Sequence, residues 1–251
     1  MSISTSNWPY PTLIAHRGAG KYAPENTLSA IRLGAAHGFQ MMEYDVKLSQ
    51  DGEAILLHDD TINRTSNGSG LASSYRLTEL MQFDFGSWCH SDFLAEPLLT
   101  LHTMATYSIA KGIDSNIEIK PETGLEAETG AKVARLARDL WQSAARPPLL
   151  SSFSEVALEA AQLAAPELPR ALLIEKQLPA DYLTRLNRLN CVALNLDNKL
   201  TTQEVVQQTL TAGYAVCVWT VNDPRRAREL ISWGCQGIVT DAIKSINPLC
   251  F

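Results

Sequence analysis

The sequence predicts an α/β chain closed into a TIM (β/α)8 barrel, with a small insertion between the second and third barrel strands. Three observations carry this expectation. Eight short apolar runs bounded by turn residues recur along the chain, and segments with helical spacing of apolar residues lie between most of them. Strands alternating with helices imply parallel βαβ units. The length of 251 residues then fits a closed barrel better than an open doubly wound sheet, although the alternation by itself is common to both.

The first run is TLIAH at 12–16. Leu28, Ile31, Leu33 and Ala35 follow with helical spacing, Asn26 or Thr27 can cap that helix, and Gly38 can end it. The second run is MMEYDV at 41–46 and the third SNIEIK at 115–120. The roughly 65 residues between them are too many for one helix and its loops. Within them SQDGEAILLHDD suggests a hairpin turn at Asp51-Gly52 and a short strand ending at His58. RTSNGSGLASS reads as a small-residue loop and FDFGSWCHSDF as irregular and aromatic. This stretch, about 47–111, is expected as an insertion over the barrel mouth within one domain spanning 1–251.

PLLSS at 148–152, RALLIE at 170–175, CVALNL at 191–196, AVCVWTV at 215–221 and GIVTD at 237–241 supply the remaining strands. Val133, Leu136, Ala137 and Leu140 mark one intervening helix, and Val205, Val206 and Leu210 another. Ser154 reads as the N-cap of EVALEAAQLAA, with Pro166 beyond its end. Asp223 and Pro224 open the seventh barrel helix, which carries Ala227, Leu230 and Ile231 and closes at Gly234.

The formal charge of −6 argues against a nucleic-acid or anionic-membrane surface. No apolar stretch approaches the length of a membrane span, so no stable membrane insertion is expected. The start, MSISTSNWPYP, lacks the basic and apolar regions of a signal peptide. Cys89, Cys191, Cys217, Cys235 and Cys250 are scattered and odd in number, which suits a reducing compartment better than a disulfide framework. The expected location is cytoplasmic.

In a parallel barrel, reactive groups sit at the C-terminal ends of strands. His16 and Arg17 end the first strand, Glu43 and Asp45 lie near the end of the second, and Glu118 and Lys120 end the third. The two-residue spacing points both members of each later pair to one face. Three carboxylates converging on one mouth need a cation between them, and oxygen-only ligation suits Mg²⁺ or Ca²⁺. The alternative is a salt-bridge network of Glu43 and Glu118 with Arg17 and Lys120. His16 and His58 can exchange protons near neutrality, and Arg17 with Lys120 suits a phosphate. Asp59 and Asp60 read as turn formers in preference to imidazole-orienting groups. His37, His90 and His102 receive no role. Together these groups point to phosphoester cleavage.

HRG at 16–18, APENT at 23–27, E-x-D-V at 43–46, HDD at 58–60 and EIK at 118–120 resemble, in order and spacing, the motifs of the glycerophosphodiester phosphodiesterases. LLSSF at 149–153, VWTVN at 218–222 and GIVTD resemble that family too, and SNWPYP at 6–11 resembles its small cytosolic bacterial members. The resemblance implies a TIM barrel that hydrolyses small-molecule glycerophosphodiesters to sn-glycerol 3-phosphate and an alcohol. It implies His16 and His58 as the acid/base pair, Glu43, Asp45 and Glu118 as ligands of a divalent cation, and Arg17 and Lys120 on the phosphate. Glu25 would brace the site, Asn26 would mainly cap the helix, and Trp219 would line the pocket or join the core. Lysophospholipase D or phospholipase C-like action on lipids, and non-catalytic glycerophosphodiester binding, are the competing readings.

Overall fold

A computed structural model describes residues 8–249 and residue 251. Cys250 and the first seven residues, including Ser6 and Asn7 of the SNWPYP stretch, lie outside the described residues. In chain order the elements are β1 (Leu13–Ala15), α1 (Leu28–Ala36), β2 (Met41–Leu48), β3 (Ala54–Leu56), α2 (Leu77–Leu80), α3 (Leu101–Lys111), β4 (Asp114–Ile119) and α4 (Glu126–Leu140). They continue with β5 (Leu149–Ser152), α5 (Glu155–Ala164), β6 (Arg170–Ile174), α6 (Tyr182–Arg188), β7 (Ala193–Asp197), α7 (Gln203–Thr211), β8 (Ala215–Trp219), α8 (Pro224–Ser232) and β9 (Gly237–Thr240).

Eight strands pair in parallel in the order β1-β9-β8-β7-β6-β5-β4-β2, and β1 pairs back onto β2, so the sheet closes into a TIM barrel. All eight apolar runs are barrel strands. The anticipated hairpin is present: β3 lies antiparallel on the end of β2, with Val46 opposite Leu56 and Leu48 opposite Ala54. Gly52 takes the turn at φ +76°, a conformation that an L side chain resists. The insertion is narrower than the expected 47–111. Lys47 and Leu48 belong to β2, and 101–111 form α3, capped by the Thr100 hydroxyl. Leu101, Met104, Ala105 and Ser108 are its buried stripe, and the polar fourth member obscures the helical period. The remaining insertion has its own small core of Ile55, Leu57, Ile62, Leu80, Phe85 and Leu98.

Strand alternation divides the chemistry from the packing. On β2, Met42, Tyr44 and Val46 join the main core under the helices, while Glu43 and Asp45 turn into the barrel. At the barrel floor Ile14, Met41, Leu149 and Val239 meet Ala171, Ala193 and Ala215, with Tyr10 and Trp8 packed against them. Large side chains from β1 and β2 face alanines on β6 and β7 across the barrel, which fills the interior without a pore. This apolar plug closes one end and leaves polar groups to the other. No α-helix follows β9 among the described residues; Ala242, Ile243 and Ile246 pack there instead. No helix among them is long and apolar enough to cross a membrane.

Candidate active site

β2 and β4 bring the three carboxylates together. Glu43, Asp45 and Glu118 are buried, and one oxygen from each lies within 4.8 Å of the others. Register explains the meeting: Asp45 pairs with Glu118, and Glu43 with Asn116, on adjacent parallel strands. Such crowding is costly without a cation. Burial, reinforced by the Asp45 charge, lifts Glu43 to about 7 and Glu118 to about 8. Burial acts on Asp45 in the same sense, but Arg17, His58, Lys120 and the Asn26 amide outweigh it and hold Asp45 below the usual carboxylate range. Glu43 Oε1 is buried with no hydrogen-bond partner. A converging set of hard oxygens with an unused lone pair is what Mg²⁺ or Ca²⁺ requires, so the residues fit the cation expected from the sequence.

The cations thread between these acids. Arg17 donates through Nη1 to Glu25 at 2.8 Å and lies with Nε 3.3 Å from Asp45. Lys120 Nζ is 3.0 Å from Glu118 and 3.9 Å from Asp45. The salt-bridge network weighed as an alternative therefore exists, but it leaves Glu43 Oε1 unserved and does not displace the metal reading. Arg17 also donates its backbone N–H to Glu43 at 3.0 Å, a contact made possible by the turn through Arg17 at φ +50° and Gly18 at φ +94°.

Each histidine is held from behind. His16 Nδ1 lies 2.6 Å from Asp241, and Nε2 sits 3.8 Å from Glu43. A carboxylate can only accept, so Nδ1 carries the proton and Nε2 faces the site. His58 Nδ1 lies 2.6 Å from Asp59 in the same manner. Burial pulls His16 down, but the Asp241 hydrogen bond and the Glu43 charge overcome it, and the net direction is up. Burial also pulls His58 down; Asp45 opposes it while Arg17 and Lys120 add to it, and the net direction is down. The two imidazoles are thus biased in opposite senses.

Two assignments change. Asn26 does not cap α1; the Thr27 hydroxyl does, accepting from Ala30 N–H. Asn26 sits at φ +60°, a region Asn tolerates better than most residues, and clamps Asp45. Its amide N–H donates to the carboxylate at 2.9 Å and its oxygen accepts the Asp45 backbone N–H at 3.1 Å. Asp59, read as a turn former, instead grips His58 and receives Arg64 Nε at 2.7 Å. Glu25 accepts hydrogen bonds from Arg64 as well as from Arg17. Trp219 lines the barrel interior, donating to the Asn195 carbonyl at 3.3 Å and packing edge-on against Phe153.

Four residues went unassigned in the sequence. Asp241 orients His16 and is itself held by Asn222 at 3.0 Å; Arg64 ties Glu25 to Asp59; Lys47 pairs with Asp60. The alternation signal reaches two of them, since Lys47 is two residues past Asp45 and Asp241 two past the inward Val239.

The chain is similar to known proteins along most of its length. Residues 16–245 match the model of the glycerophosphoryl diester phosphodiesterase family. A glycerophosphodiester phosphodiesterase of Caldanaerobacter subterraneus subsp. tengcongensis is 29% identical over 91% of this chain and 93% of its own. An Oleispira antarctica phosphodiesterase, solved in complex with its product sn-glycerol-3-phosphate, superposes with a TM-score of 0.88 at 34% identity, covering 94% of this chain and 95% of that one. A glycerophosphodiester phosphodiesterase of Agrobacterium tumefaciens str. C58 gives 0.79 at 25% identity, covering 94% and 98%. With carboxylate-backed histidines beside a metal-ready triad and a family match running from His16 almost to its end, the chain belongs to the glycerophosphoryl diester phosphodiesterase family and is a phosphoric diester hydrolase.

Proposed function

We propose that the chain hydrolyses glycerophosphodiesters, the deacylated forms of phospholipids, to sn-glycerol 3-phosphate and an alcohol such as choline, ethanolamine or glycerol. One observation carries the reading: His16 and His58, each held at Nδ1 by a carboxylate, border a buried cluster of three further carboxylates. Binding alone needs no acid/base pair, so this pairing favours turnover over a sensor. The product bound by the Oleispira antarctica enzyme supports the substrate class.

Glu43, Asp45 and Glu118 would hold Mg²⁺ or Ca²⁺, which when bound supplies positive charge that acidifies a nearby hydroxyl and steadies phosphoryl oxygens. Arg17 and Lys120 bind the phosphate, exchanging part of their ion pairing with Glu25, Asp45 and Glu118 for its oxygens. One histidine removes the proton of the glycerol 2-hydroxyl as that oxygen bonds to phosphorus. The other gives its proton to the departing alcohol as the second ester bond breaks. Water then opens the cyclic phosphate with the roles reversed. Glu25, Asn26, Asp59, Asp241 and Arg64 keep these groups aimed. We also place the protein in the cytoplasm, because Cys89, Cys191, Cys217 and Cys235 are all free thiols.

The test is turnover of glycerophosphocholine by purified protein, followed by phosphorus NMR. Chelation should abolish it and Mg²⁺ or Ca²⁺ restore it. His16→Ala and His58→Ala should each lose roughly 10²-fold in kcat while melting as folded proteins. Full activity in chelator, or wild-type kcat in either variant, sinks the scheme.

A further inference from the structure

Inside the barrel is a small cavity bordered by His16, Glu43, Glu118, Leu173, Asn195 and Trp219. Asn195 is only 1% exposed. Its backbone carbonyl accepts from Trp219, yet its side-chain oxygen Oδ1 is buried with no hydrogen-bond partner. A buried amide oxygen left unpaired is costly, so its position calls for a donor that arrives from elsewhere. Strand order fixes what it faces. β7, which carries Asn195, lies four strands from β2 in either direction around the barrel, opposite Glu43.

Size selects the visitor. The cavity has free space of about 20 Å³, close to that of one water molecule, and it accepts one hydroxyl-sized group. The leaving alcohol has room elsewhere, in a cleft of about 320 Å³ at the mouth that reaches Lys120 and Phe153. A glycerol unit with its phosphate held by Arg17 and Lys120 would reach this cavity with its far carbon, which bears a primary hydroxyl.

We propose that Asn195 Oδ1 accepts a hydrogen bond from the terminal hydroxyl of the glycerol moiety, making Asn195 a specificity-determining residue that selects a polyol over a shorter or deoxygenated chain. The inference rests on the glycerophosphodiester reading above. Trp219 forms the adjoining apolar wall, with its Nε1 committed to the Asn195 carbonyl, so the hydroxyl has Asn195 as its acceptor on that side.

The experiment is a cycle between enzyme and substrate. Glycerophosphocholine is compared with its analogue lacking only the terminal hydroxyl, in the wild type and in Asn195→Leu, by kcat/KM with metal present. The wild type should prefer the hydroxylated substrate by roughly 10²-fold, the scale of one buried acceptor left unpaired. In Asn195→Leu that preference should fall to near unity, through loss on the natural substrate only. An ordered water bonded to Asn195 would instead slow both substrates equally and leave the ratio intact, which overturns the proposal. Absence of any preference in the wild type overturns it as well. If Asn195→Leu misfolds, Asn195→Ala, which likewise lacks an acceptor, is read in the same way. Failure of the wild type to hydrolyse either substrate removes the underlying reading, and this inference with it, whereas hydrolysis with an unchanged ratio removes this inference alone.

Discussion

Loading a hard divalent cation onto Glu43, Asp45 and Glu118 should release protons, and the structure sets how many. Burial together with the neighbouring Asp45 charge lifts Glu43 from 4.5 to about 7 and Glu118 from 4.5 to about 8. Near neutrality the two therefore share at least one proton. A cation binds the ionised carboxylates, so it must displace that proton. The expected release is roughly one proton per cation at pH 7, shrinking toward zero near pH 9. Stability follows the same linkage. A carboxyl raised by folding stabilises fully below its unfolded value and loses that contribution as pH climbs through its folded value. Metal-free protein should weaken between about pH 5 and 8, each pH unit crossed costing up to about 1.4 kcal/mol per group. Added Mg²⁺ or Ca²⁺ should consequently raise Tm more at pH 8 than at pH 5. Titration calorimetry in two buffers of different ionisation enthalpy measures the released protons directly. Identical heats in both buffers at pH 7, or equal release at pH 7 and 9, would refute the argument that crowded carboxylates await a cation. Glu118→Gln should bind metal weakly and release fewer protons.

Three other outcomes are expected. Asp241→Asn can no longer hold the His16 tautomer and should lower kcat roughly 10²-fold with KM little changed; a change confined to KM contradicts the orienting role. Asn26→Ala strains φ +60° and leaves the Asp45 N–H unpaired, costing about 2–3 kcal/mol in chemical denaturation. Asn26→Gly should recover the backbone part alone, and full recovery by glycine would show that the Asp45 clamp contributes nothing. The pH profile of kcat/KM should be bell-shaped. His58, drawn below its ordinary 6.5, gives activity as it loses its proton on the acid side. His16, drawn above 6.5, withdraws activity as it loses its proton on the alkaline side. His16→Asn should remove the alkaline limb from whatever rate survives.

The strands and the candidate site groups were legible because both are written in local order. Apolar runs at regular intervals give eight strands, and an i, i+2 spacing sends Glu43 with Asp45, and Glu118 with Lys120, to one face. Asn26 was misread for a local reason as well. Asn and Thr both cap helices, but an N-cap needs extended φ, and at φ +60° Asn26 leaves that place to Thr27. The missed groups belong to another order. Asp241 lies 225 residues from His16, and Arg64 lies 39 from Glu25, so no motif window contains either pair. Closure makes the first of them. β9 can reach β1 only once the sheet has curled through all eight strands, and the register then sets Ala15 beside Thr240. One residue further along each parallel strand, His16 must fall beside Asp241. The orienting carboxylate is thus a consequence of barrel closure and register taken together. A sequence argument that accepts the closed barrel can derive it by counting one step past the last paired residues, and an open doubly wound sheet of the same strands would leave His16 without that partner.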